Sequence, residues 1–321
     1  MKLGTLTAMF SNKPLKEVLR ILRPLGLQTV ELGTGNYPGN AHCNPKELLA
    51  SKTKRDELLA LLKSEGLEIS ALSCHGNALH PSKEFAKKSI ATLNDTIILA
   101  EKLGVMTVID FSGCPGADEK STKPNWVTCA WPPDYLEILE WQWSKKVIPF
   151  WTKQAKFAAN HGVRIAFEAH PGFVVYNPET LLKVRKECGK NIGANFDPSH
   201  FFWQGIEPVE AVRALGGDAI FHVHAKDTRV YEQNARVNGT LDTKHYGDEV
   251  HRAWIFRTVG YGHSLEWWKD FVSTLRMVGY DGVLSIEHED SLMSGMEGLR
   301  KAAETLKQCL IFEKKTAMTW A

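Results

Sequence analysis

The chain has 321 residues, of which 43% are hydrophobic and 24% are charged, and its formal net charge is +2. This composition is typical of ordinary globular proteins and excludes the disordered and fibrous classes. Because 39 Lys and Arg residues nearly balance 37 Asp and Glu residues, the whole chain has no field that would attract nucleic acid or anionic lipid. We therefore expect no nucleic-acid partner.

Membrane-spanning, signal-peptide and cysteine patterns in the sequence limit the class of protein further. No apolar run approaches the roughly 18 residues that a membrane span needs, and residues 1–14 lack the apolar core and cleavage site of a signal peptide. We therefore expect a cytoplasmic protein with no membrane partner. The six cysteines are scattered without a C-x-x-C pair, which predicts free thiols rather than a disulfide framework or a cysteine zinc site.

Segments of β-strand composition alternate with segments of helical period along the chain, which is typical of repeated βα units around a parallel sheet. The predicted strands lie at 3–10, 28–33, 67–73, 105–112, 163–169, 192–197, 219–224 and 282–287. The predicted helices lie at 14–25, 45–66, 82–104, 134–161, 177–187, 207–215, 264–278 and 296–314.

Eight βα units close most simply into a (β/α)8 TIM barrel, and we predict one such domain over residues 1–321. A doubly wound open sheet is the alternative, but no G-x-G-x-x-G sequence follows the first predicted strand. Two long connections, 113–133 after strand 4 and 225–263 after strand 7, leave the strand ends where barrel enzymes place their sites. We interpret them as lids or substrate walls, with a surface excursion or an oligomer contact as the alternative.

The last four predicted strands end in acidic residues and histidines. Residues two apart on a strand face the same side, so Glu168 points the same way as His170. His222 likewise points the same way as His224. Because the carboxyl ends of barrel strands converge at one rim, these side chains are expected to meet there. We predict a metal site formed by Glu168, Asp197, His224 and Glu287.

Three carboxylates and one imidazole suit a divalent ion, and we expect Mn²⁺, with Mg²⁺ or Co²⁺ as alternatives. Each residue alone has a structural alternative, since a strand-end acid often caps the next helix and a lone histidine often lies in the core. His75, at the end of strand 3, is expected at the same pocket with His170 and His222, either contacting the substrate or orienting metal ligands. Lys226 and Asp227 are expected to pair with each other.

Five motifs in the chain carry a resemblance to a known family: FEAHPG at 167–172, NFDPSHFFWQG at 195–205, FHVHAKD at 221–227, RTVGYGH at 257–263 and GYDGVLSIEHED at 279–290. The chain resembles the sugar phosphate isomerase/epimerase group of the xylose isomerase-like TIM-barrel superfamily. The resemblance implies a metal held by the same four residues and a substrate hydroxyl contact from His200. It also implies that Arg229 matches a basic residue of ketose 3-epimerases, although Arg229 stands one place closer to the strand 7 histidine.

The resemblance further implies a metal-dependent sugar isomerase or epimerase. In such epimerases two metal-bound glutamates lie on opposite sides of the substrate, so Glu168 and Glu287 are expected as catalytic acid and base. One glutamate removes the proton beside a carbonyl, giving an enediolate that the divalent ion stabilises. Return of the proton to the opposite face gives epimerisation, and return to the neighbouring carbon gives isomerisation.

Other functions stay open at this stage. A lyase would begin with the same proton removal but end in β-elimination from a 3-keto glycoside, and a non-catalytic carbohydrate-binding protein would need no metal. Endonuclease IV, in the same superfamily, would need an Asp-x-His pair ahead of Gly260 and Gly262, where this chain has Trp254 and Phe256.

The expected partner is a small-molecule sugar without phosphate. No glycine-rich loop opens a helix and no cluster of Arg and Lys marks the rim, so nothing predicts phosphate recognition. We also expect a homo-oligomer, with a hetero-oligomer left open.

Overall fold

The predicted strands form a closed parallel barrel in the computed structural model, which describes residues 1–318 and 320. Ten strands are present in this part of the chain, and eight of them build the barrel. The strands are β1 (Lys2–Leu6), β2 (Thr29–Gly33), β3 (Glu68–Ser73), β4 (Thr107–Asp110), β5 (Arg164–Glu168), β6 (Ile192–Phe196), β7 (Ile220–Ala225), β8 (Asp227–Val230), β9 (Trp254–Arg257) and β10 (Val283–Ile286).

The barrel order is β1-β10-β7-β6-β5-β4-β3-β2, and every neighbouring pair with a recorded register is parallel. β1 closes the barrel by pairing with β10, from Lys2 opposite Val283 to Thr5 opposite Ile286. The predicted (β/α)8 TIM barrel is therefore confirmed. All the carboxyl ends of its strands lie at one mouth, where the long connections also leave.

The helices either pack on the outside of the barrel or lie in the connections at its mouth. They are α1 (Leu15–Leu22), α2 (Pro45–Ala50), α3 (Lys52–Ser64), α4 (Lys83–Leu103), α5 (Asp134–Trp141), α6 (Ile148–Asn160), α7 (Pro178–Cys188), α8 (Ser199–Phe202), α9 (Pro208–Leu215), α10 (Glu232–Asn238), α11 (Leu265–Met277) and α12 (Gly295–Lys307).

The 21-residue helix α4 shows how the sequence specifies these elements. Ser82 caps its N-terminus by accepting a hydrogen bond from the Phe85 amide, and Gly104 ends it with φ near 70°, where a side chain would be strained. Between these ends, the buried Leu93 and Ile97 recur at helical spacing and join the apolar core outside the strands.

Several element boundaries differ from the predicted ones. The predicted helix 45–66 is two helices, because Ser51 caps α3 by accepting from the Lys54 amide. The predicted helix 134–161 contains a π-helical segment, Gln142–Val147, between α5 and α6. The last helix ends at Lys307 rather than at 314, since residues 311–318 are exposed and have no core to pack against.

The connection after β7 is more ordered than predicted. It contains α10 and the antiparallel pair β8–β9, in which Asp227 lies opposite Arg257. These strands were not predicted because they pair with each other across a long insertion and no tight turn joins them. We call residues 227–263 the β8–β9 excursion.

A single buried carboxylate, that of Asp227, anchors this excursion. One of its oxygens accepts hydrogen bonds from the amides of Gly260, Gly262 and His263 and from the Trp268 indole, at 3.0–3.1 Å. Its other oxygen accepts from the Thr228 amide and the His263 ring, at 2.9 and 2.7 Å. The base of the excursion is therefore fixed to the barrel.

The connection after β4 is held by buried amide side chains. Asn77 accepts a hydrogen bond from the Cys114 amide at 2.9 Å. Gln142, in the π-helical segment, donates to the carbonyls of Gly116 and Asn125 at 3.0 and 2.7 Å. These bonds pack residues 113–133 against the mouth of the barrel.

The cysteines and the apolar character of the helices can be compared with the sequence predictions. All six cysteines are free, as predicted. Within residues 1–318 and 320, none of the helices combines the length and the apolar character that crossing a membrane requires.

We predict that Asp227→Ala destabilises the protein by about 3 kcal/mol or more, because several buried donors lose their acceptor. Urea unfolding measures the loss, and limited proteolysis should begin within residues 231–252. Asp56→Ala is the matched control, since Asp56 forms an exposed pair with Lys52 and such pairs contribute about 0–1 kcal/mol. Equal losses in the two variants would show that Asp227 anchors nothing.

Candidate metal centre and cavity

The residues predicted as metal ligands lie together at the carboxyl-terminal mouth of the barrel. Glu168 is the last residue of β5, and His224 is the next-to-last residue of β7. Asp197 and Glu287 directly follow β6 and β10. One potential ligand atom from each of the four lies within 4.8 Å of the others. We call these four residues the acidic cluster.

The Glu168 carboxylate is held by side chains from three parts of the barrel. One oxygen accepts hydrogen bonds from His75 Nε2 and Asn195 Nδ2, both at 3.0 Å. The other accepts from His200 Nε2 at 2.9 Å. Because Glu168 is only 2% exposed, these bonds replace its hydration and fix its orientation.

The His224 imidazole spans two acidic environments. Its Nε2 lies 2.9 and 3.1 Å from the two carboxylate oxygens of Glu31, a buried residue of β2 that the sequence analysis did not single out. Its Nδ1 faces the acidic cluster, 3.2 Å from both Glu168 Oε2 and Glu287 Oε2. His224 therefore contacts Glu31 through one ring nitrogen and the acidic cluster through the other.

Two unsatisfied atoms indicate that the cluster suits a cation. His224 Nδ1 and Asp197 Oδ2 are buried, yet neither has a hydrogen-bond partner in the described part of the chain. Buried polar atoms normally find hydrogen-bond partners, whereas these two have ion-pair contacts without hydrogen-bond geometry, from Lys226 to Asp197 Oδ2 and from two carboxylates to His224 Nδ1. Both atoms can therefore serve as ligands. Three carboxylates and one imidazole, with no thiolate, match the ligands of hard or borderline divalent ions. The residues present thus fit a divalent metal ion.

A buried lysine balances the negative charge. Lys226 is 2% exposed, and its ammonium lies 3.1 Å from Asp197 Oδ2, 2.6 Å from Glu287 Oε2 and 2.9 Å from Glu289 Oε2. The expected pairing of Lys226 with Asp227 is therefore wrong. Successive residues point to opposite sides of the chain, so Lys226 enters the mouth while Asp227 enters the excursion.

Burial and neighbouring charges set the protonation of the cluster. Burial raises the pKa of Asp197 to about 6, although Lys226 opposes this shift. For Glu168, burial acts to raise the pKa, but the three surrounding histidines outweigh it and hold the pKa well below its usual range. For His224, burial acts to lower the pKa, but Glu31 and the cluster carboxylates raise it well above its usual value. Glu168 is therefore ionised at neutral pH.

A cavity of about 210 Å³ opens directly onto the cluster. Its charged wall contains Glu168, Glu287 and Lys226, and its other walls include Tyr37 and Phe111. Phe111 stacks on Phe173 with ring centroids 4.3 Å apart, which gives this side a flat aromatic surface. The cavity thus combines an acidic floor with an aromatic wall.

The structure places His75 and His170 in this cavity. His200 lies beneath it: its ring is 1% exposed and bound to Glu168, and its centroid is 4.0 Å from that of His170. Burial and the neighbouring His200 lower the pKa of His170 to about 3, so its imidazole is neutral at physiological pH. A neutral imidazole can both donate and accept a hydrogen bond.

Two of the expected substrate contacts lie elsewhere. His222 is buried below the acidic cluster, where its Nδ1 donates to Asn195 Oδ1 at 3.0 Å and its Nε2 accepts from Ser70 Oγ at 3.2 Å. Arg229 is exposed on β8 and donates to the Gly262 carbonyl at 3.3 Å. The excursion thus turns Arg229 away from the cavity, and the geometry gives no support to a substrate contact from either residue.

Comparisons with known proteins agree with this architecture. A family model described as xylose isomerase-like TIM barrel matches residues 19–309. The chain is 41% identical over 313 residues to the uncharacterized protein YfiH of Bacillus subtilis (strain 168), covering 97% of this chain and 99% of that protein.

Solved structures share the fold. The IOLI protein, solved with a binding zinc atom, superposes with a TM-score of 0.65 and 20% identity, over 97% of this chain and 98% of that one. A D-tagatose 3-epimerase-like protein superposes with a TM-score of 0.63 and 21% identity, over 96% of this chain and 97% of that one. At these identities the likeness is one of fold.

We predict that Lys226→Met lowers the free energy of unfolding of the metal-free protein by about 3 kcal/mol or more, because buried carboxylates lose their counter-charge. Unfolding is measured after dialysis against EDTA, and adding Mn²⁺ should recover more stability in the variant than in the wild type. Lys146→Met is the control, since Lys146 pairs with the exposed Glu119. If both variants lose the same small amount, Lys226 does not balance the cluster.

Proposed function

The chain belongs to the xylose isomerase-like TIM barrel family, and from this membership and the acidic cluster we propose that it is a divalent-metal-dependent sugar isomerase or epimerase. Mn²⁺ is the proposed ion, held by Glu168, Asp197, His224 and Glu287. The shared fold with a D-tagatose 3-epimerase-like protein and with a zinc-binding protein supports this proposal.

One observation carries the proposal. Two carboxylates, Glu168 and Glu287, line the same cavity and flank His224 Nδ1 at equal distances of 3.2 Å. They come from β5 and β10, which lie on either side of β7 in the barrel. A small substrate bound over the cluster therefore meets a carboxylate from each of two directions, which is the arrangement that inversion of a carbon centre needs.

The proposed reaction is a proton transfer next to a carbonyl. A divalent ion in the cluster would polarise the carbonyl and make the adjacent C–H more acidic. Glu168, held ionised by its three histidines, is the base that removes this proton. Glu287, when protonated, returns a proton from the other side, which gives the epimer. Return to the neighbouring carbon gives the isomer instead.

The charges at the cavity favour an uncharged substrate. Lys226 is the one lysine or arginine among the described residues that line the cavity, and it is already bound to three carboxylates. Glu168, Glu287 and Glu289 would repel a phosphate or carboxylate group. The aromatic surface of Phe111 suits the apolar face of a sugar ring, and a volume of about 210 Å³ suits one small molecule. We therefore propose an unphosphorylated sugar or sugar derivative.

We predict that Mn²⁺-loaded protein, incubated with a panel of ketoses in deuterated water, introduces deuterium at carbon and forms an epimer or isomer. Glu168→Gln and Glu287→Gln should each lower the labelling rate by about 100-fold or more, because each removes a proton-transferring group. Mass spectrometry measures the label, and circular dichroism confirms folding.

Glu304→Gln is the matched control, because this exposed glutamate pairs with Arg300 on α12 and should leave labelling unchanged. Full labelling by both cavity variants would contradict the assigned roles. Elimination products from 3-keto glycosides, with no epimer from any ketose, would identify a lyase. Absence of a stoichiometric ion from the loaded protein would contradict the metal dependence and favour a binding protein.

A further inference from the structure

Glu31 lies inside the barrel, directly behind the acidic cluster. It is in the middle of β2 and is fully buried. Ser73 Oγ of β3 and Ser285 Oγ of β10 donate hydrogen bonds to its two oxygens, the second at 2.8 Å. Its remaining partner is His224 Nε2 of β7, at 2.9 and 3.1 Å. Glu31 therefore joins side chains from three other strands at the barrel axis.

This arrangement assigns different roles to the two nitrogens of His224. A carboxylate accepts hydrogen bonds and donates none when ionised, so the nitrogen that faces Glu31 carries a proton. The other nitrogen, Nδ1, faces the cluster carboxylates at 3.2 Å and has no hydrogen-bond partner among residues 1–318 and 320. An ion bound in the cluster would displace the proton that these carboxylates favour on Nδ1 and would then receive its lone pair. The hydrogen bond thus selects both the tautomer and the ring orientation that a metal ligand needs.

We propose that Glu31 is a positioning residue that holds His224 with Nδ1 as the metal ligand and thereby sets the affinity of the cluster for its ion. This inference rests on the proposed function, because it requires a metal in the acidic cluster. Glu31 itself does not reach the cavity. Its effect passes through the His224 ring, which it holds from behind.

A second metal between Glu31, His222 and His224 is the competing interpretation, since these three residues also lie close together. The hydrogen bonds argue against it. Both nitrogens of His222 already have partners in Asn195 and Ser70. Both oxygens of Glu31 are occupied by serine and histidine donors. With every candidate ligand atom satisfied, this group acts as a hydrogen-bonded anchor.

The test measures Zn²⁺ binding, because Zn²⁺ is diamagnetic and allows the histidine ring nitrogens to be observed. In ¹⁵N-histidine-labelled, Zn²⁺-loaded wild type, we expect His224 to show a coordinated Nδ1 and a strongly hydrogen-bonded Nε2 proton, assigned through its loss in His224→Gln. Glu31→Gln should weaken Zn²⁺ binding in calorimetry by about 10-fold or more, and this proton signal should move upfield or vanish through exchange.

Two further variants complete the experiment. Thr96→Val removes a buried hydrogen bond between α4 and Thr34, which involves none of the cluster residues, and it should leave Zn²⁺ affinity unchanged. Ser285→Ala keeps the Glu31 carboxylate but removes one of its anchors, and it should weaken binding by a smaller factor, about three-fold. It tests the inference even if Glu31→Gln does not fold.

The outcomes separate this inference from the proposed function. If Glu31→Gln binds Zn²⁺ as tightly as the wild type with an unchanged His224 spectrum, Glu31 does not position the ligand, while the metal site stands. Coordination of Zn²⁺ through His224 Nε2 would overturn the inference in the same way. If the wild type binds neither Zn²⁺ nor Mn²⁺, the inference and the proposed metal dependence both fail.

Discussion

Compensation of buried negative charge is the constraint on which the mouth of this barrel depends. Closing the barrel brings Glu31, Glu168 and Asp197 into a region where none is more than 2% exposed. An unpaired carboxylate in such surroundings costs several kcal/mol. In the structure, the positive charges of His224 and Lys226 offset this cost, together with hydrogen bonds from serine, asparagine and histidine side chains. A divalent cation would add positive charge between two ligand atoms that lack hydrogen bonds, His224 Nδ1 and Asp197 Oδ2.

The same requirement explains why polar side chains continue below the mouth. Ser70, His222, Asn195 and Glu168 form a connected hydrogen-bond chain across the barrel interior. Because these side chains project from strands rather than from loops, the carboxylate at the end of the chain is held in one orientation. Connected polar networks of this kind are stable only when every member is satisfied. The rigid interior therefore preorganises the acidic cluster.

Much of the fold and the acidic cluster could be predicted because the information is local. Alternating strand and helix periods predicted eight βα units, and acids at the ends of successive strands predicted where side chains converge. Glu31 was not predicted as a site residue because it lies inside the strand segment QTVELG and belongs to no strand-end motif. The sequence did contain a usable signal, because a glutamate within a predicted barrel strand needs a polar or charged partner when it is buried. The identity of that partner, 193 positions away in sequence, required the closed barrel.

The features that were wrongly predicted or missed lie where the chain leaves the barrel after β7. Lys226 and Asp227 are adjacent, but alternation of side-chain direction sends Lys226 to the acidic cluster and Asp227 to the base of the β8–β9 excursion. The excursion in turn brings the Phe256 ring to within 4.6 Å of the Lys226 ammonium and 5.5 Å of the His200 ring. The anchor of the excursion and the counter-charge of the cluster therefore occupy consecutive residues. A displacement of the excursion would therefore move the Phe256 ring and the Lys226 backbone together, which couples the excursion to the counter-charge of the cluster.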